Sequence, residues 1–243
     1  MNSRIILFLL LLFHYSLSAQ SVSTQKKKIN ILFVGNSLTY SNSLPDLVKE
    51  LGKQDEVEIK YYLLLFPDYS LEDHWNEGKV QKELYKGKFD FVIAQQGPSA
   101  LPESQILLLE YTKKFKKLCD STKAKLALYM VWPSKARLFD LDNVIYSYTH
   151  AAGETRSLLC PAGLAWKNAW ALDTTLTLYS ADNFHPGITG SVLAALTIYG
   201  TVTGKNDFDF IRYKKVSWHN EISKEKLNVL KQAATGSLKK QGQ

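Results

Sequence analysis

The chain has 243 residues, 45% of them hydrophobic and 22% charged, and carries a formal net charge of +7 at pH 7. Those figures exclude a disordered or fibrous chain and leave enough apolar material for one sizeable core. The positive balance does not by itself point to nucleic acid: Lys113, Lys114, Lys116 and Lys117 interleave with Leu108, Tyr111, Phe115 and Leu118 at helical spacing, the pattern of an amphipathic helix with a wet face, and no nucleic-acid motif accompanies them.

The first segment reads as a secretory signal peptide over residues 1–19. Arg4 precedes the apolar run Ile5 to Phe13, and small and polar residues follow to Gln20, which places cleavage after Ser18 or Ala19. About a dozen apolar residues fall short of the roughly 20 that span a bilayer, so no integral membrane segment is expected after cleavage. No cysteine follows the apolar run, which argues against a lipoprotein anchor. The expected location is therefore secreted or periplasmic. Residues 20–28 form a polar leader without structure, and 29–243 form a single domain with no linker or internal repeat.

Within that domain Ile29 to Val34 is a short apolar run stopped by Gly35, which predicts a buried strand. Similar runs recur at Val57 to Leu65, Phe89 to Ala94 and Lys125 to Val131, with a weaker one at Leu158 to Ala165. Helical stretches are predicted near 43–53, 71–86, 102–121, 142–157 and 188–202, with a surface helix over 221–240. Ser43, Pro45 and Asp46 supply a capping hydroxyl, a first-turn proline and an acid at the start of the first of these. The alternation implies βαβ units and a mainly parallel sheet covered on both faces. Cys119 and Cys160 are the only cysteines, and the count permits either one disulfide or two separate buried thiols.

Gly35-Asn36-Ser37-Leu38-Thr39-Tyr40 lies off the carboxyl end of the first strand, where open α/β sheets place their ligands. A serine nucleophile needs an imidazole to take its proton and a carboxylate to fix that imidazole's tautomer. Among the histidines, His14 lies in the signal segment, and His74, His150 and His219 sit in or beside predicted helices. His185 lies instead in the loop Ser180-Ala181-Asp182-Asn183-Phe184-His185-Pro186-Gly187, where Pro186 biases it towards an extended backbone. The three-residue spacing lets Asp182 meet one ring nitrogen while the other faces Ser37. Asp68, Asp73 and Asp182 occur in no metal-binding spacing, so neither metal nor cofactor is expected.

Gly35-Asn36-Ser37-Leu38 and Asp182-Asn183-Phe184-His185 together resemble the first and last blocks of the SGNH (GDSL-like) hydrolases, in that family's order and over roughly residues 29–203. The resemblance implies a flavodoxin-like three-layer α/β/α sandwich around a five-stranded sheet. It also implies a Ser37, His185, Asp182 triad that hydrolyses carboxylic esters. The family's oxyanion hole uses the nucleophile's own N–H, a glycine N–H from the second block and an asparagine amide from the third. This chain departs from both later blocks. Tyr69 or Ser70 stands where the glycine is expected, and Gln95 or Gln96 where the asparagine is expected, with Gln95-Gln96-Gly97 similar to the Gln-Gly pair of related carbohydrate acetylesterases. Tyr40, His74, Trp75 and Ser99 are the candidate pocket-lining residues. The implied substrate is a short-chain ester, acetyl above all, on a small molecule or polysaccharide; the competing readings are acyl transfer to a sugar hydroxyl and a degenerate carbohydrate-binding protein.

Overall fold

The computed structural model describes residues 26–239. Lys28 already opens the first strand, so the polar leader ends one residue before its expected limit. The signal peptide expected over 1–19 lies outside the described residues.

Five strands, β1 (Lys28–Gly35), β2 (Glu58–Leu65), β3 (Phe91–Ala94), β4 (Lys125–Tyr129) and β5 (Leu158–Cys160), form one sheet in the order β2-β1-β3-β4-β5. Every neighbouring pair is parallel. This is the flavodoxin-like order, in which the chain winds one way from β1 to β2 and the other way from β3 onward. All four residues of the central strand β3 are buried, as a strand covered on both faces requires. The winding reverses between β1 and β3, where Val34 lies in register with Ala94. Asn36-Ser37 and Gln95-Gln96 therefore leave the sheet side by side, at the crevice where such folds bind ligands.

The helices are α1 (Ser37–Tyr40), α2 (Leu44–Gln54), α3 (Leu71–Glu77), α4 (Lys79–Lys86), α5 (Pro102–Thr122), α6 (Leu141–Thr155), α7 (Ala162–Leu172), α8 (Ile188–Thr203) and α9 (Lys224–Lys239). One helical group packs α2 on α8 and α8 on α7 and α9; the other packs α5 on α3, α4 and α6. The lysine-bearing helix is α5, with Leu108, Tyr111, Phe115 and Leu118 buried as its pattern predicts.

Three local expectations need correction, and one pair of open alternatives is resolved. The single helix expected over 71–86 is two, because Gly78 at φ +77° turns the chain between α3 and α4. Leu158 to Ala165 is a strand only as far as Cys160; Pro161 then leads into α7, whose alanines favour helix. Ser43 is left-handed and makes no side-chain cap to α2, although Pro45 and Asp46 occupy the first turn as expected. Cys119 and Cys160 are two separate buried thiols on α5 and β5, not a disulfide.

Candidate active site

Ser37 does not sit in an open loop. It is the first residue of α1, directly after the strand, and Asn36 is the cap: its side-chain oxygen accepts the Leu38 N–H at 3.1 Å. The Asn36 carbonyl accepts from Thr39 at 2.9 Å and Tyr40 at 3.2 Å. The N–H groups of Leu38, Thr39 and Tyr40 are thereby spent, while that of Ser37 has no partner among the described residues. Ser37 is half-buried, and its hydroxyl makes no hydrogen bond among the described residues.

Asp182 and His185 are paired as their spacing predicts. Asp182 Oδ2 lies 2.6 Å from His185 Nδ1. The other oxygen, Oδ1, accepts from the Ser180 hydroxyl at 2.7 Å and from the N–H groups of Phe184 and His185 at 2.9 Å each. The hydrogen bond from His185, followed by those from the Phe184 N–H and the Ser180 hydroxyl, holds the Asp182 carboxyl far below the usual carboxylate range. The pair is thus a permanent carboxylate fixing one edge of an imidazole, which leaves Nε2 as the ring's second nitrogen.

The histidine loop is tied to the serine turn by a residue that sequence reasoning passed over. Asn42 Nδ2 donates to Pro186 O at 2.8 Å and to Ser191 Oγ at 2.9 Å, bridging the turn after α1 to the start of α8. Asn42 has φ +51°, a conformation asparagine tolerates better than most residues, and that preference is the one local signal that marks it. From the opposite side Trp132 Nε1 donates to Phe184 O at 3.2 Å, and Trp132 is itself stacked on Trp166 at a centroid separation of 3.5 Å. Two rigid elements therefore hold the loop on either side of His185.

The expected oxyanion amides are placed differently. Gln95 is fully buried, and both hydrogens of its amide are used, one on Asn36 Oδ1 at 2.9 Å and one on Gln96 O at 2.7 Å. Gln96 Nε2 donates to Ser99 Oγ at 2.8 Å, and its Oε1 accepts the Leu71 N–H at 3.4 Å. Both glutamines are braces, not free donors. The Ser70 N–H is likewise occupied, by Asp73 Oδ2 at 2.8 Å in a capping box at the start of α3, and the Tyr69 N–H leans on Phe66 O at 3.4 Å. The one amide of the expected set without a partner among the described residues is that of Ser37.

The pocket-lining expectations divide. His74 is buried under the site, not in it: Nε2 lies 2.9 Å from Gly35 O, and the ring packs against Phe66 and Tyr69. Desolvation pushes its pKa below the usual histidine value, against the opposing pull of the Gly35 carbonyl, so it is a neutral donor supporting the end of β1. Trp75 packs on Phe115 of α5 and belongs to the core layer. Ser99 is buried and occupied by Gln96 and Gly97, though it forms part of a cavity wall. Tyr40 is exposed at the end of α1.

That cavity, of about 270 Å3, is lined by Pro98, Ala100, Leu101, Pro133 and Phe184 among others. The Phe184 ring meets the His185 ring edge-on at 5.0 Å, so the apolar wall adjoins the paired histidine. No group of three or more acidic, histidine or cysteine side chains suited to a metal occurs among the described residues.

No family model and no curated protein matches the chain. Solved structures do. A candidate SGNH hydrolase from Slackia heliotrinireducens superposes with a TM-score of 0.59 at 25% identity, over 72% of this chain and 99% of that one. A DUF4886 family protein from Bacteroides uniformis gives 0.70 at 16% identity, over 89% and 97%. An acetyl-xylooligosaccharide esterase from Geobacillus Stearmophilus gives 0.55 at 17% identity, over 72% and 94%. The chain has the SGNH (GDSL-like) hydrolase fold.

Proposed function

We propose that the chain is an exported serine esterase with Ser37 as nucleophile, His185 as general base and acid, and Asp182 as the group that orients His185. The observation that carries this reading is the 2.6 Å Asp182–His185 pair on a loop tied through Asn42 to the turn that bears Ser37. In the first half-reaction Ser37 Oγ attacks the acyl carbon while His185 Nε2 takes its proton, and the same proton passes to the departing alcohol oxygen. In the second, water attacks the acyl-enzyme with His185 again as base; the acid leaves and the serine regains its proton. The unpaired Ser37 N–H is the donor available to the developing oxyanion.

The acyl group of the substrate is assigned to the cavity walled by Phe184. About 270 Å3 lies below the range of about 300–1,000 Å3 typical of pockets for drug-sized ligands, which favours short acyl chains. The acetyl-xylooligosaccharide esterase among the neighbours supports a carbohydrate as the alcohol partner.

The test is labelling by a fluorophosphonate with turnover of p-nitrophenyl acetate. The wild-type protein labels and turns over; Ser37→Ala does neither while keeping its circular dichroism. Labelling that survives in Ser37→Ala overturns the assignment of the nucleophile.

A further inference from the structure

Of the chain's five tryptophans, Trp132, Trp166 and Trp218 are fully buried and Trp75 packs on α5. Trp170, near the end of α7, is different. It is half-buried and forms a wall of a surface groove of about 450 Å3 together with Lys135, Leu138, Thr174, Thr177 and Asn183. Its indole is held in place: Nε1 donates to Leu176 O at 3.1 Å, and the ring meets Trp166 edge-on at 5.5 Å and Tyr179 at 5.8 Å. A fixed, partly exposed aromatic face is the platform on which a flat apolar ligand surface stacks at little entropic cost.

The opposite features of the groove are polar. Along the segment from Thr175 to Leu178, Leu176 and Leu178 turn inward and are buried, while Thr175 and Thr177 turn outward. This period of two leaves a row of hydroxyls beside the indole. Thr174 and Thr177 hydroxyls have no partner among the described residues, and Lys135 forms no ion pair among them. An apolar ring face flanked by hydroxyls, an amide and an ammonium matches a sugar ring, whose own faces are apolar and whose rim is hydroxyl.

The groove also runs into the loop described above. Ser180 and Asn183 line it, and the Ser180 hydroxyl donates to Asp182 Oδ1 at 2.7 Å. The Asn183 carbonyl accepts the Lys135 N–H at 2.8 Å, which joins the groove's two walls just behind the Asp182–His185 pair. We infer that this groove is an oligosaccharide subsite, in which Trp170 stacks on a sugar unit remote from the esterified one and so holds a polymeric substrate across the histidine loop. The inference rests on the serine-esterase reading for the meaning of that loop, but sugar binding itself requires no serine chemistry.

The experiment is therefore done on the Ser37→Ala protein with unesterified xylohexaose, cellohexaose, mannohexaose and chitohexaose, by calorimetry. Binding of at least one is expected, with Kd raised fivefold or more when Trp170→Ala is added and partly restored by Trp170→Phe. Because Trp170 also packs on Trp166, a second variant blocks the groove without touching that contact: Thr177→Arg, at an exposed position, is expected to weaken the same binding fivefold or more. In the protein that retains Ser37, Thr177→Arg should raise KM for a partially O-acetylated form of the bound hexaose and leave its kcat unchanged. Failure of all four sugars to bind, or binding unchanged in Thr177→Arg, overturns the subsite. Absence of fluorophosphonate labelling in the wild-type protein, with sugar binding retained, would instead overturn the esterase reading alone.

Discussion

The carboxamide of Gln95 grips Asn36 at two points: Gln95 Oε1 accepts the Asn36 N–H at 2.9 Å, and Gln95 Nε2 donates to Asn36 Oδ1 at 2.9 Å. Oε1 also accepts the Thr39 hydroxyl at 2.7 Å, and Asn36 Nδ2 donates to Tyr69 O at 2.9 Å. Asn36 and Thr39, before and after Ser37, are thus clamped to the residue that follows β3, and Asn36 also to the loop between β2 and α3. The clamp leaves no space at Gly35, where a Cβ would stand 2.5 Å from Gln95 Oε1 and 2.8 Å from Thr39 Oγ1.

Gln95→Ala should therefore act first on stability. It strands the Asn36 N–H and the Thr39 hydroxyl in a buried place, at about 1–3 kcal/mol for each unsatisfied group. For a domain of this size that lowers Tm by several degrees, at about 2–4 °C per kcal/mol. Removal of an oxyanion donor would instead cost about 10²–10³ in kcat with Tm unchanged. Thermal denaturation and p-nitrophenyl acetate kinetics on one preparation separate the two; an unchanged Tm with a hundredfold loss of kcat would make Gln95 a donor after all.

Which parts of this site the sequence discloses follows from the range of the contacts. The Asp182–His185 pair spans three residues, and Ser37 follows a strand that ends at a glycine, so local pattern and chain order suffice to find them. The strand order agrees with the alternation of apolar runs and helical stretches. The roles of Gln95 and His74 depend on partners 59 and 39 positions away, which no local pattern contains. An amide directly past the strand looks the same in sequence whether it faces the crevice or the turn beneath it. The helix α7 is hidden for another reason: Leu158 to Ala165 is a continuous apolar run, which has no period to distinguish strand from helix, and only Pro161 marks the change.

Asp182→Asn places an amide nitrogen where Oδ2 now accepts from His185 Nδ1. Nδ1 must then act as acceptor, which moves the ring proton to Nε2 and leaves that nitrogen unable to take the proton of Ser37. The asparagine oxygen can still accept from Ser180, Phe184 and His185, so the loop should hold. The expected result is a fall in kcat of about 10³–10⁴ with an unchanged Tm. A loss of less than tenfold would reduce Asp182 to a loop brace.

Cys119 and Cys160 should be inert thiols in the folded protein. Each is fully buried, and desolvation pushes each thiol up to about 12, so little thiolate exists at mildly alkaline pH. A chromogenic disulfide reagent should titrate neither cysteine in the native state and both in concentrated guanidinium chloride without reductant. Dithiothreitol should leave Tm unchanged. Titration of no thiol after denaturation would mean that the two are joined.

The buried His74 makes stability depend on pH in a definite direction. Desolvation lowers its folded-state pKa, while in the unfolded chain it titrates near the ordinary value of about 6.5. Between those two values the unfolded chain binds more protons than the folded one, so stability rises with pH across that window and is fully present above it. Acidification from about pH 7 to pH 5 should therefore lower Tm. Asp182 and Asp73, whose pKa values are also depressed, add to the loss only at lower pH, as the solution falls below the ordinary carboxylate range of about 4. His74→Gln keeps an N–H donor for Gly35 O without a group that titrates in this range. Its Tm at neutral pH should be lower than wild type, since a smaller side chain replaces a ring packed on Phe66 and Tyr69. Its Tm should then change less than wild type between about pH 7 and pH 5. Equal pH dependence in the two proteins would show that the acid sensitivity in this window arises elsewhere.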